Sequence, residues 1–82
     1  MKSIYSQEYK AVVDVLIAER KRAGMTQVQL ANKLGKPQSF VSKTESRERR
    51  LDIVEFFHIC RAMEKDGVEL LQKAGICSVH ES

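Results

Sequence analysis

The chain has 82 residues, 43% of them hydrophobic and 30% charged, with a net charge of +3. That length supports one small core and little room for a substrate pocket, and with no run of 18 apolar residues a membrane-spanning helix is not expected. The charge is unevenly placed: residues 1–50 carry eleven Lys/Arg against five Asp/Glu, whereas residues 51–82 carry three against six.

A basic half beside an acidic half gives the molecule an electrostatic direction. Nucleic acid is the usual reason for one, although ordinary solvated faces also produce it. The first residues lack the basic-then-apolar pattern of a secretion signal, so a cytoplasmic location is expected. Cys60 and Cys77 are too few for a disulfide framework. Cys77 and His80 form a Cys-x-x-His pair, but two ligands do not close a zinc site, so no metal is expected.

Five helices are predicted, with no strand and no internal repeat. The first follows Ser6, a suitable N-cap, and runs to about Arg22. Tyr9, Val12, Val13, Leu16 and Ile17 recur on one face at three- and four-residue intervals. Gly24 supplies the left-handed stop.

The second helix opens on a capping box, Thr26 with Gln29, flanked by Met25 and Leu30 as a hydrophobic staple. Leu30, Ala31 and Leu34 form its apolar stripe, and Gly35 ends it after two turns. Lys36 is left in the turn. Pro37 is expected at the first position of the third helix, where a missing N–H costs nothing, and that helix runs to about Ser46.

The basic connector "RERR" at 47–50 leads to a second capping box, Asp52 with Glu55, and a second staple, Leu51 with Phe56. Helix four is expected to bury Phe56, Ile59, Cys60 and Met63. Asp66 with Glu69 marks a fifth helix ending near Gly75. Residues 76–82 are expected to form a flexible tail beyond a single domain with its core at about 7–75. Two short helices joined around a glycine describe a helix-turn-helix at about 27–46.

The third helix divides into two faces. Pro37, Phe40, Val41 and Thr44 fall within about 100° of one another and are expected to face inward. Gln38, Ser39, Ser42, Lys43 and Ser46 occupy the opposite arc, without an acid. Glutamine can pair with adenine N6 and N7, lysine can reach guanine O6 and N7, and serine can serve a base or a phosphate. A face without carboxylates also suits a duplex lined by phosphates. Any small helical protein can show such a face to water alone, so the pattern gains force from the capping box, glycine turn and basic flanks around it.

The segment LIAERKRAGMTQVQLANKLGKPQSFVSKTESRERRLD resembles the Cro/cI-type (XRE, lambda-repressor-like) helix-turn-helix regulators of bacteria and phages. The resemblance covers about Val12 to Leu71 and is most specific across residues 16–52. It implies an all-α, compact five-helix bundle whose third helix enters the DNA major groove. Gln38, Ser39, Ser42 and Lys43 are then the base-contacting residues. Gln27, Lys36, Ser46, Arg47, Arg49 and Arg50 fall to the phosphates. Arg20, late in helix one, is expected to pair with Glu45, ending helix three.

Three positions depart from the family pattern. Thr44 stands where a large apolar residue is common. Arg47 replaces a glycine, which is expected to lengthen helix three. Glu64-Lys65 replaces a Leu-Gly helix ending.

Such regulators usually act as two-fold dimers on palindromic operators. Phe57, Val68, Leu70, Leu71 and Ala74 are the apolar residues available for a homodimer contact, or alternatively for closing the core. The function expected is that of a small transcriptional regulator, a repressor binding double-stranded DNA. The alternative is a protein-binding module, such as an antitoxin gripping a toxin or an adaptor on the transcription machinery, whose acidic half could face a basic protein. Without a phosphate loop, a His/Cys/Asp constellation or a nucleophile context, no enzyme, cofactor or small-molecule substrate is expected. His58 reads as a helix residue rather than a base.

Overall fold

The computed structural model describes residues 6–76. Five helices account for most of them: α1 (Gln7–Arg22), α2 (Gln27–Leu34), α3 (Gln38–Glu45), α4 (Ile53–Ala62) and α5 (Gly67–Lys73). The tail expected at 76–82 and the Cys77–His80 pair lie, apart from Ile76, outside the described residues.

Short helices of this kind are held by their ends and their neighbours more than by propensity. Both capping boxes form. Thr26 Oγ1 accepts from the Gln29 N–H (3.0 Å) while Gln29 Oε1 accepts from the Thr26 N–H (2.9 Å). Asp52 Oδ1 and Glu55 Oε1 reciprocate in the same way at the start of α4. At α5 the arrangement is simpler than the Asp66/Glu69 spacing suggests, because Asp66 accepts from the Val68 N–H and makes no reciprocal box.

Pro37 is displaced from its expected place. It is the extended N-cap of α3 (φ −69°, ψ 157°), one position before the first helical residue, and it is exposed rather than turned inward. An extended ψ at Pro37 directs its ring away from the core and leaves Phe40, Val41 and Thr44 to carry the inner face.

The C-termini follow one pattern. After α3, the Arg47 N–H donates to the Thr44 carbonyl (3.1 Å) and the Glu48 N–H to the Lys43 carbonyl (2.9 Å). After α4, the Glu64 N–H donates to Arg61 and the Lys65 N–H to Cys60, both at 2.9 Å. These are paired 5→2 and 6→1 closures that require a left-handed residue. Gly24, Gly35 and Gly75 fill that role without strain, but Arg47 (φ 64°) and Glu64 (φ 59°) carry side chains there. Helix α3 therefore ends at Glu45 instead of lengthening, because Arg47 adopts the glycine conformation.

The core is built from Leu16, Leu30, Ala31, Val41, Leu51, Phe56, Ile59, Cys60, Met63 and Leu70. Helix α2 packs on α3 and α4, while α1 closes on α3 and α5. The apolar members of helices two to four expected in the core lie there or pack against it, Pro37 excepted. Tyr9 ties α1 to the α3–α4 loop, its hydroxyl accepting from the Leu51 N–H at 2.9 Å. Gly67, at the first position of α5, is there for space: a Cβ would overlap the ring of Phe57 and press on Phe56.

One buried acid is absent from the apolar-stripe reading. Glu19 is 2% exposed on α1 and is met by Lys73 at 3.0 Å, Arg22 at 3.3 Å and Lys65 at 3.6 Å. The hydrogen bond from Lys73 holds its carboxyl below the usual range, against the opposing effect of burial. The cluster fastens α5 and the segment before it to α1.

Candidate nucleic-acid interface

Helix α3 is committed on one side and open on the other. Val41 and Thr44 are buried, with Phe40 half-buried beside them. Thr44, polar at an inward-facing position, is satisfied: its hydroxyl donates to the Phe40 carbonyl at 2.7 Å and accepts from Arg49 Nη1 at 3.3 Å. On the opposite arc Gln38, Ser39, Lys43 and Ser46 are exposed and Ser42 is half-buried. Pro37 supplies no side-chain cap, so the first N–H groups of α3 lack the side-chain partner that α2 and α4 have.

A chain of hydrogen bonds fixes this face to the scaffold. Arg20 Nε donates to Glu45 Oε2 at 2.6 Å and Nη2 to Glu45 Oε1 at 3.0 Å. Its Nη1 donates to the Met25 carbonyl in the α1–α2 turn at 2.7 Å. Glu45 Oε1 also accepts from Gln27 Nε2 at 2.9 Å, and Gln27 Oε1 accepts from Gln38 Nε2 at 2.9 Å. The side chains of Arg20 and Glu45 are 10% and 11% exposed, so the bidentate pair is sheltered from solvent screening. Four side chains thus run from the interior to the open face, with Gln38 at the outer end.

The bonds leave Gln38 equipped for recognition. A primary amide has two N–H donors and a carbonyl acceptor. Gln38 uses one donor on Gln27, keeping the other and the carbonyl, the pair that reads adenine N7 and N6. Gln27, assigned by resemblance to a phosphate, has its carbonyl on Gln38 and one donor on Glu45, and a single amide donor remains.

The basic residues separate into open and committed groups. Lys43 and Arg50 are exposed. Arg47 is half-buried in its left-handed position. Lys36 lies 5.5 Å from the centroid of Phe40. Arg49 is not simply a phosphate contact: it grips Glu55 with bonds of 3.0–3.2 Å and stacks 4.4 Å from the same ring. Its hydrogen bond is the main reason the Glu55 carboxyl is held below the ordinary range. Arg49 braces the α3–α4 loop, and its charge is largely balanced. Ser46 also differs from expectation, because its hydroxyl donates to Glu48 Oε2 at 2.8 Å, which sets an acid beside it.

The five residues considered for a dimer contact do not form one exposed patch. Leu70 is 1% exposed and belongs to the core, which removes it from any surface. Phe57 is half-buried, its ring edge-on to Phe56 at 5.2 Å and covered by Gly67. Leu71 packs against the core and Ala74 is half-buried. Val68 alone of the five is exposed, as are Ile53, Val54, Val28 and Ile76, apolar residues that the pattern did not single out.

Glu19 and the second role of Gln27 were missed in the sequence. The signal for Glu19 was present: it stands three residues after Leu16 on the buried stripe of α1. Cys60 is buried in the core, and its thiol is pushed up to about 11 by burial, far from reactive. Among the described residues no helix is long and apolar enough to cross a membrane, and no group of His, Cys, Asp or Glu could hold a metal ion.

Comparison with known proteins agrees with this geometry. No curated protein matches the chain. A solved structure, an XRE-family like protein from Pseudomonas syringae pv. tomato str. DC3000, is 50% identical over 90% of each chain and superposes with a TM-score of 0.83. A family model described as helix-turn-helix, HTH_3, matches residues 16–70, the span that holds α2, α3 and the bonds between them. With the model, the neighbour and the braced third helix in agreement, the chain belongs to the XRE-type helix-turn-helix family of DNA-binding regulators.

Proposed function

We propose that this protein is a bacterial or phage transcription repressor that binds double-stranded DNA sequence-specifically, as a homodimer on a palindromic operator. The observation that carries the reading is the outer face of α3 formed by Gln38, Ser39, Ser42 and Lys43, which holds no acid and is braced through Gln27, Glu45 and Arg20. A recognition side chain whose geometry is set before contact loses less freedom on binding a base. The bond from Gln38 to Gln27 sets it.

Gln38 reads a base edge, with Ser39, Ser42 and Lys43 beside it in the major groove. Each good bidentate contact discriminates by about 1–3 kcal/mol. Lys36, Arg47 and Arg50, with the remaining amide donor of Gln27, neutralise or anchor phosphates. Affinity then falls with salt by about 0.9 log unit per phosphate contact for each log unit of salt. The uncapped N–H groups opening α3 favour a phosphate at that end.

One recognition helix spans too few base pairs to define a site. Two copies with half-sites roughly 34–36 Å apart double the sequence read. The exposed Val68, with Leu71 and Ala74 at the same helix, is the surface on α5 that a second copy would cover.

Selection from randomised duplexes tests the reading. The wild type is expected to enrich a two-fold symmetric site, and Gln38→Ala is expected to lose preference at one position per half-site while keeping the rest. Lys43→Ala is expected to weaken binding to the selected duplex. No enrichment by the wild type, or unchanged preferences and affinity in both variants, would exclude the assignment.

A further inference from the structure

A groove of about 490 Å³ runs between the C-terminal turn of α2 and the outer stripe of α4. Leu34, Phe40, Ile59 and Ala62 line its floor, with the exposed Val54 at one end. Lys33, Lys36 and Arg61 stand along its sides, all exposed. Among the described residues Lys33 and Arg61 form no ion pair. The two acids at the groove are occupied elsewhere: Asp52 caps the Glu55 N–H, and Glu55 is held by Arg49. An apolar floor flanked by Lys33 and Arg61, neither in an ion pair among the described residues, is thus left beside α4, with Lys36 at the end nearer the DNA-facing loop.

We infer that this groove is a docking site for an acidic amphipathic segment of a partner protein. Its apolar residues would cover Leu34, Ile59 and Ala62, and its carboxylates would meet Lys33 and Arg61. A helix of two or three turns fits, since α4, with ten residues, is about 15 Å long. Charge complementarity selects an acidic partner over the basic one that the composition of residues 51–82 suggests.

DNA is the less suitable occupant. A phosphate backbone has nothing to place on an apolar floor, and most of the lining belongs to α4, not to α3. Phe40, the α3 residue in the groove, lies two residues from Gln38, about 200° around the helix. Gln38 therefore lies on the far side of α3 from the groove, with Lys43 nearer at about 60° from Phe40, and the two sites are expected to be filled together.

The test is amide chemical-shift titration of the full chain with three probes. The first is a peptide of about 12 residues, built from Glu, Leu and Ala to form an amphipathic helix of about three turns. The second is the same peptide with every Glu replaced by Lys, and the third is a duplex carrying the selected site. The acidic peptide is expected to give saturable shifts at Leu34, Phe40, Ile59 and Ala62, with or without duplex present. The Lys33→Gln, Arg61→Gln double variant is expected to weaken it by at least about tenfold, equivalent to about 1.4 kcal/mol, and to weaken duplex binding by a smaller factor, from long-range charge alone. Absence of saturable groove shifts, or equal binding of the acidic and basic peptides, would overturn the inference. So would a duplex that shifts the groove amides and is weakened by the double variant as much as the acidic peptide is, which would assign the groove to DNA.

Discussion

Replacing Glu45 by Met tests whether the recognition helix depends on its buried anchor. The substitution removes both acceptors of Arg20, whose side chain is 10% exposed and keeps only the Met25 carbonyl. It also takes away the acceptor that orients Gln27. Removing one partner of a buried pair costs about 3–5 kcal/mol, and the retained carbonyl favours the lower figure. A domain of this size has roughly 4–12 kcal/mol in total, so the variant should fold in the cold and melt about 12–24 °C lower. Arg20→Met is expected to cost a similar amount, because it strands the Glu45 carboxylate. The double variant strands neither charge. It should be no less stable than either single variant, giving a coupling energy of at least about 3 kcal/mol. Urea denaturation of the four proteins measures this directly. Additive single effects, with a coupling below about 0.5 kcal/mol, would refute the anchor.

Further outcomes follow from residues outside the recognition face. Glu64→Gly relieves a left-handed residue with a side chain and is expected to stabilise by about 1 kcal/mol, read as a higher urea midpoint. Arg47→Gly should stabilise similarly but reduce the salt dependence of duplex binding by about one phosphate contact. Because the folded-state carboxyl of Glu19 lies below its ordinary value of 4.5, its contribution is fully present above that value and is lost as pH falls through the depressed one. Glu19→Gln should therefore cost about 1–3 kcal/mol at neutral pH, with the urea midpoints of variant and wild type converging only in acid. Gly67→Ala must displace the Phe57 ring and is expected to cost about 1–3 kcal/mol, measured by thermal melting.

Much of the architecture was legible because helix boundaries here are set within three or four residues. Thr26/Gln29 and Asp52/Glu55 are local chemistry, and the structure contains both boxes as the spacing implies. Pro37 shows the limit of that reading: N-cap and first-turn prolines share the same φ, and only ψ, set by the surrounding chain, separates them. Arg47 shows another, since a non-glycine residue in a left-handed closure is held by the fold around it, not by its own preference. The connector at 47–50 reads as uniform positive charge until Glu55 folds back onto Arg49 and Glu48 meets Ser46. Leu70 and Phe57 were ambiguous for a different reason. Leu70 sits on seven-residue α5 and Phe57 on the side of α4 that α5 covers, so which of them the core takes depends on how α5 lies on α1 and α4.

The most direct measurement is the map of backbone amide shifts when the protein is saturated with its selected duplex. The largest changes are expected at Gln38, Ser39, Ser42 and Lys43, with smaller ones at Gln27 and through the 47–50 loop. Duplex binding that leaves these α3 amides unmoved while shifting another surface would contradict the assignment of α3 to the groove.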